Sequence, residues 1–160
     1  MTLAEILIDA LSRSRERFDR ALADVTLEQA NTPPVPDIAP RTNSLTWLAW
    51  HTAREIDLQI SLMAGQEFVW FTGGHRERFD LPLPDDTQDW RHTPEEAAQV
   101  VVDDLSVLTA YLDDAYAMAY GYMRSLAPER LDDIIDSSWD PPVTRGARLV
   151  SIIDDAAQHS

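Results

Sequence analysis

The chain has 160 residues, 44% of them apolar, which suffices for a hydrophobic core without disulfide staples. It contains no cysteine, and all 13 of its basic residues are arginine. Disulfides, thiolate metal sites, iron–sulfur clusters and a protein-borne thiol nucleophile are therefore excluded, as are Schiff-base chemistry and a P-loop lysine. The formal net charge of -15 opposes nucleic acid, whose phosphates need clustered cations, and it opposes an anionic membrane surface as well. Glu5 and Asp9 interrupt the first apolar run, so no signal peptide is predicted, and no run nears the ~20 apolar residues that span a bilayer. One soluble, cytoplasmic domain over residues 1–160 is expected.

The first predicted helix covers residues 3–25, where Leu3, Leu7, Leu11, Phe18, Leu22 and Val25 recur at helical steps. Residues 26–42 carry Pro33, Pro34, Pro36 and Pro40, and read as a long crossover with little helical capacity. A second helix starts at Asn43 or Ser44, either of which can cap it, and ends near Gly65. Its apolar line runs Leu48, His51, Glu55, Leu58, Leu62, so two polar residues sit next to each other on that line.

Residues 66–92 read as irregular, and their His75 and His92 are expected to face solvent. Trp47, Trp50, Trp70 and Trp90 read as core or loop packing, with the wall of a pocket as the other use. Thr93, Pro94 and Glu96 supply a cap, a first-turn proline and a capping-box glutamate. The third helix is expected to run on without a break through Ala97, Val101, Leu105, Leu108, Leu112, Ala115, Ala119, Tyr122 and Leu126. Residues 131–143 form another connection, and Thr144 caps a fourth helix that is still periodic at His159. The native chain is therefore expected either to continue past Ser160 or to hold this end by packing. The expected fold is all-α: a four-helix bundle with long crossover loops.

On the fourth helix, Asp155 and His159 stand one turn apart and can converge on one ion. With His51 from a facing helix they form a His/His/carboxylate set, the donor type of catalytic zinc sites. Burying His51 and Glu55 in an apolar line is expensive unless a partner offsets it. Glu55 is expected as a carboxylate acceptor behind a ligand imidazole, or as a partner for Arg54. The competing reading makes His51 a hydrogen-bonded core histidine, and Asp155 and His159 surface residues near a frayed helix end.

The stretches NSLTWLAWHTARE, DLPLPDDTQDWRHTPEEAAQVVVDD and SSWDPPVTRGARLVSIIDDAAQH resemble the DinB/YfiT-like metalloenzymes. The likeness is nearest to the branch of mycothiol-dependent maleylpyruvate isomerase and related mycothiol transferases. It covers most of the chain from Asn43 onward, and WDPPVTRGARLVSIIDDAAQH is its most specific part. The resemblance implies a four-helix bundle that binds one divalent metal, zinc before nickel or iron, through His51, Asp155 and His159. The carboxylate here is aspartate, one methylene shorter than the glutamate associated with the isomerase. The resemblance further implies a cofactor such as mycothiol or a similar thiol, and a small electrophile as substrate for S-transfer or isomerisation. A metal-dependent hydrolase and a non-catalytic metal-binding protein are the other readings, and a homodimer is compatible with all three.

Overall fold

The computed structural model describes residues 1–39 and 41–160. Four long helices carry the architecture: α1 (Leu3–Ala23), α3 (Leu45–Ala64), α7 (Leu105–Ser125) and α8 (Arg145–His159). Around the bundle, α3 neighbours α7 and α8, and α1 neighbours the same two from the other side. Helices α1 and α3, consecutive among the long helices, thus lie on a diagonal. That placement requires a crossover, as the proline-rich stretch predicts, although a five-residue helix α2 (Leu27–Asn31) forms at its start. Pro40, assigned to that crossover, lies outside the described residues.

Local signals set most boundaries. The Ser44 hydroxyl accepts from Trp47 N at 3.1 Å and starts α3, and Gly65 ends it at φ 68, where a side chain would be strained. Thr144 caps α8 in the same way, accepting from Ala147 N at 3.2 Å. The core fills the space between the four helices with Leu11, Phe18, Trp50, Ile56, Ile60, Leu112, Leu149 and Ile152, all at most 2% exposed. Fully burying such a side chain stabilises the fold by roughly 1.5–3 kcal/mol.

The third helix departs from its prediction. A short helix α6 (Pro94–Ala97) carries the expected capping box, and the chain then leaves the helical path until α7 begins with Asp104 as its cap. Val101 is exposed at 43%, while Val100 and Val102 are buried. The side chain of Asn31 explains the break. Its Nδ2 donates to Val102 O at 2.8 Å and its Oδ1 accepts from Val102 N at 3.2 Å, so the backbone there is taken by a partner outside the helix.

Leu62, also assigned to an apolar line, is 68% exposed. Residues 131–143 hold part of a two-stranded antiparallel hairpin, β1 (Ile134–Asp136) with β2 (Val143–Thr144), that the sequence did not signal. Between α3 and α6 run two further short helices, α4 (Val69–Thr72) and α5 (His75–Phe79), and a 3-10 turn over Asp89–Arg91. Among the described residues no helix is long and apolar enough to cross a membrane.

Candidate metal centre

Helices α3 and α8 run antiparallel, which sets the second turn of α3 against the last turn of α8. Arg145, at the start of α8, confirms the direction by donating to Met63 O at the end of α3. His51 therefore meets Asp155 and His159. One ligand atom from each of the three lies within 4.8 Å of the others. His51 Nε2 is 3.9 Å from Asp155 Oδ2, and His159 Nδ1 is 3.5 Å from the same oxygen. Donors about 2.0–2.2 Å from a tetrahedral ion stand roughly 3.4 Å apart, so His51 Nε2 and Asp155 Oδ2 are close to coordinating separation.

Each imidazole is oriented from behind. His51 is 4% exposed, stacks on Trp47 with ring centroids 4.5 Å apart, and meets the His159 ring edge-on at 4.7 Å. Its Nδ1 donates to Asp89 Oδ2 at 2.8 Å, which leaves the Nε2 lone pair facing Asp155. His159 Nδ1 donates to the Asp155 carbonyl at 2.9 Å, which leaves Nε2 as the acceptor nitrogen of the neutral ring.

The two ends of the α8 pair also shift each other. The hydrogen bond that His159 donates to Asp155, with the charge of that carboxylate, pushes the imidazole up against an opposing effect of burial. Burial acts to raise the Asp155 carboxyl, but the hydrogen bond and charge of His159, with His51, outweigh it and hold the group below its usual range.

Glu55, one turn beyond His51, is half-buried. Its Oε2 accepts from Gln59 at 2.9 Å, while Oε1 is buried without a hydrogen-bond partner. Burial, with the charge of Asp89 adding and that of His51 opposing, pushes this carboxyl up to about 7. The partner of the His51 ring is thus Asp89, and Glu55 stands beside the pair, with ligand atoms of all three within 4.8 Å of one another. Asp89 Oδ1, like Glu55 Oε1, is buried and unpartnered. Orphaned oxygens beside an oriented imidazole, with a second imidazole and a third carboxylate in reach, are a donor set that fits a divalent cation.

Sequence reasoning missed Asp89 because it lies in an irregular segment 38 positions from His51, where no periodicity points at anything. The two loop histidines also differ from expectation. His75 is fully buried, and its Nε2 pairs with Asp114 Oδ2 at 2.8 Å. His92 is half-buried and accepts at Nδ1 from Trp47 Nε1 at 3.1 Å, so its Nε2 carries the proton donated to Thr87 Oγ1 at 2.8 Å. His92 therefore braces the tryptophan on which His51 stacks. Trp47, Trp50 and Trp70 are buried, as core packing requires, whereas Trp90 is 57% exposed.

Asp155 and Glu55 open onto a cleft of about 800 Å³. Arg91, Arg145 and Arg148 line it, as do two exposed tryptophans, Trp90 and Trp139. The cleft is of a size that takes a small molecule.

No curated protein matches the chain. Among solved structures, a crystal structure described as a conserved protein of locus from Enterococcus faecalis is similar. The identity is 47%, the match covers 99% of this chain and 91% of that one, and the TM-score is 0.91. The DinB superfamily matches residues 10–160, a span that takes in nearly all of the four long helices and every residue of the polar cluster, and the chain belongs to that superfamily.

Proposed function

We propose that the protein is a divalent-metal-dependent enzyme that acts on a small electrophile with a low-molecular-weight thiol, of which mycothiol is the type. His51, Asp155 and His159 hold the ion, with zinc as the first choice and nickel or iron suited to the same donors. The observation that carries the reading is the convergence of these three side chains where the cleft meets the α3–α8 interface. When bound, the ion supplies Lewis acidity that favours thiolate over thiol at neutral pH.

The chain's own residues do the rest. Asp89 and Trp47 fix the His51 ring in position and tautomer. Glu55 lines the cleft, and its carboxyl, pushed up to about 7, serves as acceptor for the proton that the thiol gives up. Trp90 and Trp139 offer flat apolar walls, and Arg91 and Arg148 offer donors to polar groups of the substrate or the thiol. Without a cysteine in the chain, the sulfur nucleophile must arrive from outside.

The test has two steps. Elemental analysis of the purified protein should find about one divalent ion per chain, and His51→Ala should lose it. Turnover of a model electrophile should then require both the ion and an added thiol. Metal-dependent turnover without thiol would replace this reading with hydrolysis, with Glu55 acting on water. A folded, metal-free protein indifferent to chelators would end both.

A further inference from the structure

Beside the metal cleft lies a second pocket of about 320 Å³, whose interior the reaction above does not use. Leu58 and Trp90 line both spaces and so form the partition between them. Five aromatic rings wall the second pocket: Phe68, Trp70, Phe71, Trp90 and Tyr111. Two of these are rigidly held, since Trp70 and Tyr111 are at most 5% exposed and pack with ring centroids 5.1 Å apart.

Charge is distributed unevenly around these rings. Four aspartates line the pocket, Asp57, Asp85, Asp86 and Asp89, against a single arginine, Arg54. Arg76 answers Asp85 from outside at 2.7 Å, and Arg54 Nε stands 4.0 Å from Asp89. The Arg54 guanidinium is otherwise occupied, donating to the carbonyls of Asp85 and Thr87 and lying over the Trp50 ring at 5.5 Å. Asp57 is met only by neutral donors, and exposed Asp86 has no ion pair among the described residues.

An enclosure of π-faces with surplus negative charge attracts a cation whose charge is clothed in carbon. It repels an anion and has no particular preference for a neutral apolar group. We propose that this pocket binds a small organic cation, an alkylated ammonium no larger than a single ring. The site shares Asp89 with the metal centre but contains none of His51, Asp155 and His159, and its occupancy does not rest on the metal reading, so binding rather than turnover is the readout.

The test is a charge series of one shape on the full chain: choline, its neutral carbon isostere dimethylbutanol, and the anion dimethylbutanoate. Titrations are followed by calorimetry and by the methyl resonances of the probe. Choline is expected to bind at least about tenfold tighter than the alcohol, and the anion to bind least. Trp90→Ala and Asp86→Asn alter exposed side chains, so both should fold, as checked by circular dichroism. Each should weaken choline severalfold, and Asp86→Asn should leave the alcohol unchanged. Equal affinity for choline and alcohol, tighter binding of the anion, no binding in the millimolar range, or choline binding indifferent to both substitutions would each overturn the assignment. Metal content should stay constant in Trp90→Ala and Asp86→Asn, neither of which alters His51, Asp155, His159 or Asp89.

Discussion

Asp57 and Asp89 are both almost completely buried, and they are used in opposite ways. Asp57 accepts from four donors: Val69 N at 2.9 Å, Trp70 N at 2.8 Å, Tyr111 OH at 3.0 Å and Ser61 Oγ at 3.1 Å. Those bonds fasten the start of α4 and the middle of α7 to α3. Asp89 receives one hydrogen bond, from His51, and keeps an oxygen without a partner. A carboxylate whose lone pairs are all answered within the fold is a fastener, and its worth is stability. One left partly unanswered beside an oriented imidazole is held in a costly state, and such states persist where a ligand completes them.

Substitutions should separate the two. Asp57→Ala strands two backbone N–H groups and a tyrosine hydroxyl in the interior. A loss of about 3–5 kcal/mol in urea unfolding is expected, with metal content per folded chain unchanged. A loss under about 1 kcal/mol would mean that water replaces the carboxylate and that Asp57 is no fastener.

Asp89→Asn keeps the shape and removes the charge that orients His51. Metal affinity should fall by about 10–100-fold, with a smaller stability change than at Asp57. Unchanged affinity in a competition titration would detach Asp89 from the centre.

His75 extends the contrast to a buried imidazole. Burial holds it below its ordinary value, against the opposing effect of the hydrogen bond it donates to Asp114. The folded state therefore binds fewer protons than the unfolded chain as pH falls through the usual imidazole range near ~6.5. The contribution of His75 to stability should decline on acidification from pH 7 and recover as pH rises, whereas Glu55 and His159, both raised, act with the opposite sign. His92 is lowered by burial as well and acts with the same sign, so the slope belonging to His75 is the difference between wild type and His75→Gln. Parallel pH curves for the two proteins would remove His75 as its source. Smallest of all is the exposed Arg13–Asp9 pair at 2.8 Å, where Arg13→Ala should leave the unfolding midpoint unmoved.

Much of the centre is legible because helices write their faces into the sequence. His51 interrupts an apolar line and Asp155 and His159 stand four apart, so the chain itself selects two helix faces that then meet. Asp89 leaves no such trace, since a 3-10 turn has no period long enough to read. The false helix over Ala97 to Leu105 has a different cause. Its spacing is helical, but Asn31, some 70 positions earlier, claims both polar groups of Val102. The polar neighbours of His75 suggest exposure, although Asp114 meets it from a turn of α7 that the local sequence does not reveal.

The order of the long helices along the polypeptide has a consequence for synthesis. During translation α3 emerges early, carrying His51 and Glu55 on a face that the turn at Asp89 and then α8 cover. Until residues 145–159 leave the ribosome, that face has Asp89 but neither the packing of α8 nor the donors Asp155 and His159. A nascent chain can thus gather α1, α3 and α7 first and must add the last wall afterwards, so the polar trio comes together only once synthesis has passed His159.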